Sequence, residues 1–367
     1  METTIGDLRS AIKKAIKAVD TASCAIRCED GKLSIIASSA QGSIMIDVPA
    51  QGGGDRCSAN ISSKQVGAIF GGVVDSFKCT IKKAGDGITL SFGGSRIKLL
   101  QPFEDGVTDM FQTAVAGTPD LMCSSTGKEL SELLDGPVQY AAKNDVRHYF
   151  VGVQAISDGG RLRLTGTNGV KLCTARSGIQ TSEEMKECII PRPVAEAIGS
   201  VFESTDLINV HQIGDIGNIR FLLGNDRIKW VTSAIAGKYP DWKQIMPSDQ
   251  RTAGLELARD SVVSAITRIM AASGEQFVVV VFEKNGIHIK STDGEQREFF
   301  EGKTGIESEI CVGATGSALA ETVEAVETTV VDFSINIRNE VTRFVVRPSG
   351  PKIEISDWIG ICMPAKI

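Results

Sequence analysis

Apolar residues recur at helical spacing in six stretches of the chain, and short alternating or β-branched runs closed by Gly, Asn and Asp lie between them. In METTIGDLRSAIKKAIKAVD, Leu8, Ile12, Ile16 and Val19 form one apolar stripe, with Arg9, Lys13 and Lys17 sharing another face and Lys14 alongside. GKELSELL and RDSVVSAITRIMAAS predict two more helices. Thr126 and Glu129 have the spacing of a capping box for the first, and Asp260 is the N-cap expected for the second. Three later helices are predicted from Val66, Ile69, Phe70 and Val73, from Val194, Ile198 and Val201, and from Leu319, Val323 and Val326. Runs such as FVVVVFE and TRFVVR read as strands. Gly136-Pro137 interrupts a pattern that otherwise extends from Lys128 to Ala142. Proline costs about 3 kcal/mol inside a helix, which predicts a kink or an early stop there.

The pattern repeats. EDGKLSIIAS, DGGRLRLTGT and EKNGIHIKST place a turn before a strand at Gly31, Gly160 and Gly286, 129 and 126 residues apart. SRIKLL, DRIKWV and PKIEIS recur at Arg96, Arg227 and Lys352, 131 and 125 residues apart. Two independent markers with one interval predict three similar α+β domains, 1–117, 118–248 and 249–367, each with two helices on antiparallel sheets.

Composition narrows the function. A net charge of −6 argues against a protein that coats nucleic acid by bulk charge, and leaves room for positive charge on one inner surface. No apolar run approaches the roughly 18 residues that cross a bilayer, and the amphipathic start is not a secretory signal. Nine cysteines without a C-x-x-C pair predict buried free thiols in a reducing, cytoplasmic compartment, with no structural metal. The three histidines, His148, His211 and His288, form no metal-binding pair. No nucleophile elbow, Walker loop or dinucleotide fingerprint is present, and Gly52-Gly53-Gly54 reads as a hairpin tip. Nothing in the sequence asks for catalysis or a cofactor.

Four stretches stand apart. NDVRHYFVGV crowds Arg147, His148, Tyr149 and Phe150 at the start of a strand, and TGTNGVKL sets a turn at Asn168-Gly169 before Lys171 and Leu172. The C-terminal WIGICMPAKI stays apolar to its end, whereas domain ends usually fray into polar residues. It reads either as a plain final strand with a stub or as a segment docked in, or forming, a groove. SAIAGKYPDWKQIMP places Tyr239 and Trp242 in what should be a linker, where polar residues are usual. Lysines spaced like Lys13 and Lys17 are most often a solvated surface, and the same row can attract phosphates without reading bases.

NDVRHYF, TNGVKL, GKYPDW and CMPAKI resemble, in order and spacing, motifs of the bacterial-type sliding clamps, the beta subunits of DNA polymerase III: DVRYYL, TDGHRL, G-R/K-F/Y-P-D-Y and VMPMRL. The resemblance covers the whole chain. It implies a processivity factor without enzymatic activity, half of a closed ring whose second half is an identical chain bound head to tail around double-stranded DNA. It implies a DNA-facing set of Arg9, Lys13, Lys17, Lys64, Asn144, His148, Tyr149, Arg192 and Arg268. It implies a hydrophobic cleft that takes Gln-Leu-x-Leu-Phe type motifs of polymerases, clamp loader and repair proteins. Carried over by position, that cleft is Arg147, Phe150, Thr167, Gly169, Val170, Lys171, Leu172, Pro240, Gln244, Ile245, Ile361, Cys362, Met363, Pro364, Ala365 and Lys366. The implied dimer contact uses Ala271 and Ala272, where the family has larger residues, with Ile269, Met270 and the region of Phe103 in support. Val170 replaces a common histidine, Gln244 a common arginine, Ala365 a methionine and Phe150 a leucine, so the implied pocket is less basic and differently shaped. A second reading is a clamp-fold protein of a phage or mobile element that sequesters clamp partners without encircling DNA. An unrelated α+β enzyme is a third.

Overall fold

The structure, a computed structural model, describes residues 1–100, 118–247, 251–338, 340–349 and 356–366. One order of elements, strand, helix, four strands, helix, three strands, runs through it three times. The first run is β1 (Glu2–Thr4), α1 (Ile5–Ala18), β2 (Ser23–Glu29), β3 (Lys32–Ser39), β4 (Gly42–Val48), β5 (Cys57–Ser62), α2 (Ser63–Phe70), β6 (Lys78–Ala84), β7 (Gly87–Phe92) and β8 (Ser95–Leu99). The second is β9 (Asp120–Thr126), α3 (Gly127–Tyr140), β10 (Gly152–Asp158), β11 (Arg161–Thr167), β12 (Lys171–Gln180), β13 (Cys188–Pro191), α4 (Arg192–Val201), β14 (Leu207–Ile213), β15 (Arg220–Gly224) and β16 (Ile228–Ser233). The third is β17 (Ala253–Ala258), α5 (Arg259–Ser273), β18 (Phe277–Glu283), β19 (Gly286–Lys290), β20 (Arg297–Glu301), β21 (Ile310–Thr315), α6 (Gly316–Glu324), β22 (Val330–Arg338), β23 (Val341–Ser349) and β24 (Ser356–Cys362).

The chain packs as two compact units, Met1–Ser131 with Ile179–Ala236, and Glu132–Gly178 with Gly237–Ile367. In the first unit, an eight-stranded sheet runs β5-β2-β3-β4-β16-β15-β14-β9 beside a four-stranded sheet β1-β6-β7-β8. β4 and β16, from successive runs, pair antiparallel with Ile46 opposite Ile228. A side chain at Gly42 would bring its Cβ within 2.2 Å of the Val231 carbonyl oxygen, so this seam requires glycine. In the second unit, β10-β11-β12-β24-β23-β22-β17 form one sheet and β20-β19-β18-β21 another. Here the seam is β12 against β24, with Lys171 opposite Cys362 and a bulge between Thr174 and Arg176.

The helices start and stop for local reasons. Thr4 caps α1, its side chain accepting the Asp7 N–H at 3.1 Å, with Asp7 in the first turn and Lys17 in the last to complement the helix dipole. Leu8, Ile12 and Ala15 are fully buried; burial of each large side chain is worth about 1.5–3 kcal/mol. The capping box at α3 forms as the sequence predicts, with Thr126 N–H on Glu129 Oε2 at 2.9 Å and Glu129 N–H on Thr126 Oγ1 at 3.2 Å. Asp260 is not the N-cap of α5: Ala258 occupies that position, and Asp260 sits in the first turn paired with Arg259. α2 ends at Phe70 and α6 at Glu324, so Val73 and Val326 fall beyond the helices.

Gly136-Pro137 does not stop α3, which continues to Tyr140. Tertiary contact outweighs the local penalty. A Cβ on Gly166 of β11 would lie 1.7 Å from the Pro137 carbonyl oxygen, and one on Gly136 2.5 Å from Trp358 Nε1. The missing side chain on Gly166 lets the Pro137 backbone meet the sheet, and the one on Gly136 leaves room for the Trp358 indole. Tyr140 closes the contact, its hydroxyl donating to the Thr322 carbonyl at 2.7 Å and its ring edge-on to Trp358. Gly52-Gly53-Gly54 is a connection rather than a hairpin tip, because β4 and β5 each pair with other strands.

Candidate functional site

The residues the sequence singles out for a cleft fall in the second unit, and the strand order explains how. β12 and β24 are hydrogen-bonded neighbours, so the turn before β12 and the tail after β24 leave the sheet side by side. Asn168 shapes the turn: its Oδ1 accepts the N–H groups of Val170 at 3.0 Å and Lys171 at 2.9 Å. Thr167 Oγ1 donates to the Lys171 carbonyl at 2.7 Å and accepts the Gly169 N–H at 3.1 Å. Val170 is thereby held outward, 43% exposed. The tail is docked, not a stub. Met363 N–H donates to the Val170 carbonyl and Ala365 N–H to that of Gly313, both at 2.9 Å.

Arg147 and Phe150 flank the same turn. The guanidinium carbon lies 4.3 Å from the Phe150 ring centroid, and a Cβ on Gly169 would meet that ring at 3.6 Å. The 237–247 stretch is pinned by its aromatics. Tyr239 donates its hydroxyl to the Thr165 carbonyl at 3.1 Å and Trp242 donates Nε1–H to Gln154 Oε1 at 2.6 Å, both rings buried. Half-buried Pro240 sits between them, and exposed Gln244 gives its side-chain amide to Asp241 at 2.9 Å. The surface these elements present is mainly apolar: Val170, Pro240, Ile245, Met363, Pro364 and Ala365 are all at least partly open. Phe150, Thr167, Leu172, Ile361 and Cys362 are buried and act as its scaffold, and Lys366 is exposed at the rim.

Two of the three cations in this set, Lys171 and Arg147, are paired from within. Lys171 is 5% exposed, ion-paired to Glu321, with Nζ 5.2 Å from the Tyr140 ring centroid. Arg147 donates to both carboxylate oxygens of Asp145, at 3.0 and 2.8 Å, and this hydrogen bonding pulls the Asp145 carboxyl down to about 2. Asp145 therefore stays ionised across the whole neutral range. Asp145, Glu321, Gly313 and Asn168 carry much of this geometry and are absent from the sequence-based set. Asn168 had a local signal in the Asn-Gly turn and Asp145 one in its spacing to Arg147, whereas Glu321 and Gly313 had none.

The implied DNA-facing residues divide by what they touch. On α1, Lys13 and Lys17 are exposed and form no ion pair among the described residues. Arg9 beside them is half-buried, donating to the Phe70 carbonyl at 3.0 Å and pairing with Asp75. Lys64 is exposed in the first turn of α2. Arg192 is not an open cation: it is buried, its Nε 2.7 Å from Glu196. In the second unit, Asn144 and His148 are exposed, Tyr149 is half-buried against Phe150, and Arg268 is engaged by both oxygens of Glu298 at 2.7 Å.

Of the implied dimer residues, Ala271 and Ala272 are exposed at the end of α5. Ile269 faces inward instead, and Met270 is half-buried. Ile269 is 3% exposed, and the Met270 sulfur occupies the space a Cβ on Gly316 would need, at 2.4 Å. Phe103 lies outside the described residues. All nine cysteines are free, seven of them buried, and burial pushes thiols such as Cys24 and Cys123 up to about 12. Among the described residues no three His, Cys, Asp or Glu side chains gather as metal ligands, and no helix is long and apolar enough to cross a membrane.

No protein-family model matches the chain. Over 276 residues, 74% of its length, it is 25% identical to the beta sliding clamp of Vibrio cholerae, of which that match covers 73%. The beta sliding clamp of Escherichia coli is 23% identical over 277 residues, with the same coverage of each chain. A DNA polymerase sliding clamp from Pseudomonas aeruginosa superposes on 100% of this chain and 99% of its own with a TM-score of 0.84 at 16% identity. The chain has the sliding-clamp fold. Its curated homologues carry the clamp name, in agreement with the four motifs. A Helicobacter pylori beta clamp solved bound to a DNA ligase peptide also superposes over 100% of this chain and 99% of its own, with a TM-score of 0.77 and 17% identity.

Proposed function

We propose that this chain is a DNA sliding clamp. Two copies close head to tail around duplex DNA, and the cleft tethers a DNA polymerase, the clamp loader and repair proteins. Each copy carries three domains, 1–117, 118–248 and 249–367, in keeping with the element order that runs three times. The clamp acts in the cytoplasm and has no chemistry of its own; it holds the polymerase on its template. The observation that carries the cleft is the docked tail, with the Met363 N–H on the Val170 carbonyl at 2.9 Å. It sets an apolar surface beside a turn, as a short peptide with bulky apolar residues requires. The Helicobacter pylori neighbour in complex with a DNA ligase peptide supports the same assignment. The stiff, pinned 237–247 stretch lowers the entropy cost of holding a flexible peptide.

Retention on nicked circular DNA, with a loader supplied, tests the reading. The clamp should stay on the circle and run off once the circle is linearised. Peptide binding without topological retention would instead identify a protein that sequesters clamp partners.

Two variants probe separate parts. Lys13→Glu with Lys17→Glu should weaken loading and DNA-stimulated synthesis and leave the melting curve unchanged, since both side chains are exposed. Direct affinity for linear duplex should be weak and fall steeply with salt, as contacts to phosphate do. Normal loading by this double variant would remove both lysines from the DNA path. Lys171→Met should leave peptide affinity within about two-fold, because a buried, internally paired ammonium offers little to a ligand. Stability should change by no more than about 1 kcal/mol, since the Glu321 left behind is 57% exposed and can be solvated. A ten-fold loss in fluorescence anisotropy titrations would place the ammonium on the ligand instead.

A further inference from the structure

Cys28 and Cys57 face each other across two strands. They are paired residues in the antiparallel ladder of β2 with β5, and β5 is the edge strand of its sheet. Directly opposed residues hold their Cα atoms about 4.5–5.5 Å apart, inside the roughly 4.4–6.8 Å that a disulfide spans. Both are free, Cys28 buried and Cys57 half-buried, so a small reagent reaches one sulfur and a second waits beside it. Cys311, the exposed thiol among the described residues, has the Glu309 carboxylate as its neighbour.

We propose that Cys28 and Cys57 form a site of reversible oxidation that closes to a disulfide at the expense of a low-molecular-weight disulfide. The Cys57 thiolate attacks one sulfur of the reagent, forming a mixed disulfide and releasing one small thiol. Cys28 then attacks the Cys57 sulfur, forms the protein disulfide and expels the second small thiol. Two protons and two electrons leave the protein, and the reagent is reduced to two thiols. Burial raises the Cys28 thiol, which slows the second step without changing its product. β5 runs directly into α2 through the Ser62 cap, so the bond ties the edge strand and the helix bearing Lys64 to β2.

The test is incubation of the full native chain with oxidised glutathione, then thiol titration in denaturant and peptide mapping. The nine thiols should fall to seven, with one linked peptide pair containing Cys28 and Cys57 and full reversal by dithiothreitol. Hydrogen exchange in β5 should slow by at least about ten-fold in the oxidised form. Cys28→Ser should trap a stable glutathione adduct on Cys57, because the displacing sulfur is gone. Nine thiols remaining, an open adduct on Cys57 in the unaltered chain, or a bridge through any other cysteine would overturn the assignment.

Discussion

Deleting residues 363–367 is expected to abolish binding of a Gln-Leu-x-Leu-Phe type peptide while the fold survives. The final strand ends at Cys362, and its buried residues Trp358, Ile359, Ile361 and Cys362 remain after the deletion. What goes is the part that leaves the sheet. Met363 and Ala365 each spend a backbone N–H on a neighbouring carbonyl, and Met363, Pro364 and Ala365 are only half-buried. Two such hydrogen bonds contribute about 1 kcal/mol each, so the melting temperature should fall by a few degrees at most. Binding loses far more. A short peptide takes most of its energy from a few bulky side chains seated in apolar pockets, and loss of one wall typically costs 2 kcal/mol or more. An affinity loss of at least about 100-fold, roughly 2.7 kcal/mol, is expected in anisotropy titrations. Undiminished affinity would show that partners dock elsewhere. A cooperative melt lost altogether would show that the tail belongs to the core.

Sequence and structure agree where the determinant is local. The Thr126/Glu129 box and the Asn168 turn each depend on residues within four positions of one another, and both form; along α1, Leu8 and Ile12 are buried as the stripe predicts, Ile16 is half-buried and Val19 is the C-cap. The three hairpins marked by Gly31, Gly160 and Gly286 close as β2–β3, β10–β11 and β18–β19. Disagreement arises where a distant element decides. Pro137 stays helical where Gly166 lets the sheet approach its backbone and Gly136 makes room for Trp358, contacts no local rule contains. Lys171 was placed in the cleft with no partner named, and its partner Glu321 is 150 residues away in sequence, where no local pattern reaches. Arg147 differs instructively: its partner Asp145 is two residues away, and the D-V-R spacing was a local signal that went unused. The same holds for Arg192, whose partner Glu196 lies one turn along α4. The apolar chain end is the case in which an unusual composition did point to a contact, because exposed apolar residues at a terminus need a partner surface.

The ring itself is expected to close weakly, with the proposed homodimer dissociating at about micromolar concentration, near −8 kcal/mol. The implied contact falls at the end of α5, where Ala271 and Ala272 offer only methyl groups to a partner. At about 25 cal/mol per Å², replacing two large side chains by alanine forfeits a few kcal/mol per interface. Ile269 and Met270 have little free area to restore it. One is buried in its own unit and the other fills the space over Gly316. Among the described residues, Phe277 on β18 and Phe299 on β20 offer exposed apolar area, 37% and 49% exposed on the same four-stranded sheet. Phe299 is already partly committed, its ring 4.5 Å from that of His288. Two interfaces in one ring reinforce each other, so opening one leaves the other to hold the partner at high local concentration. The balance is a dimer at working concentrations that opens and separates on dilution. Sedimentation velocity across a dilution series reads it directly. Ala271→Leu with Ala272→Leu should shift the midpoint down by at least about ten-fold, since each leucine returns apolar area to a solvent-facing position. A dimer that persists at low nanomolar concentration in the unaltered chain would sink the weak interface, and a monomer at high micromolar concentration would threaten the ring.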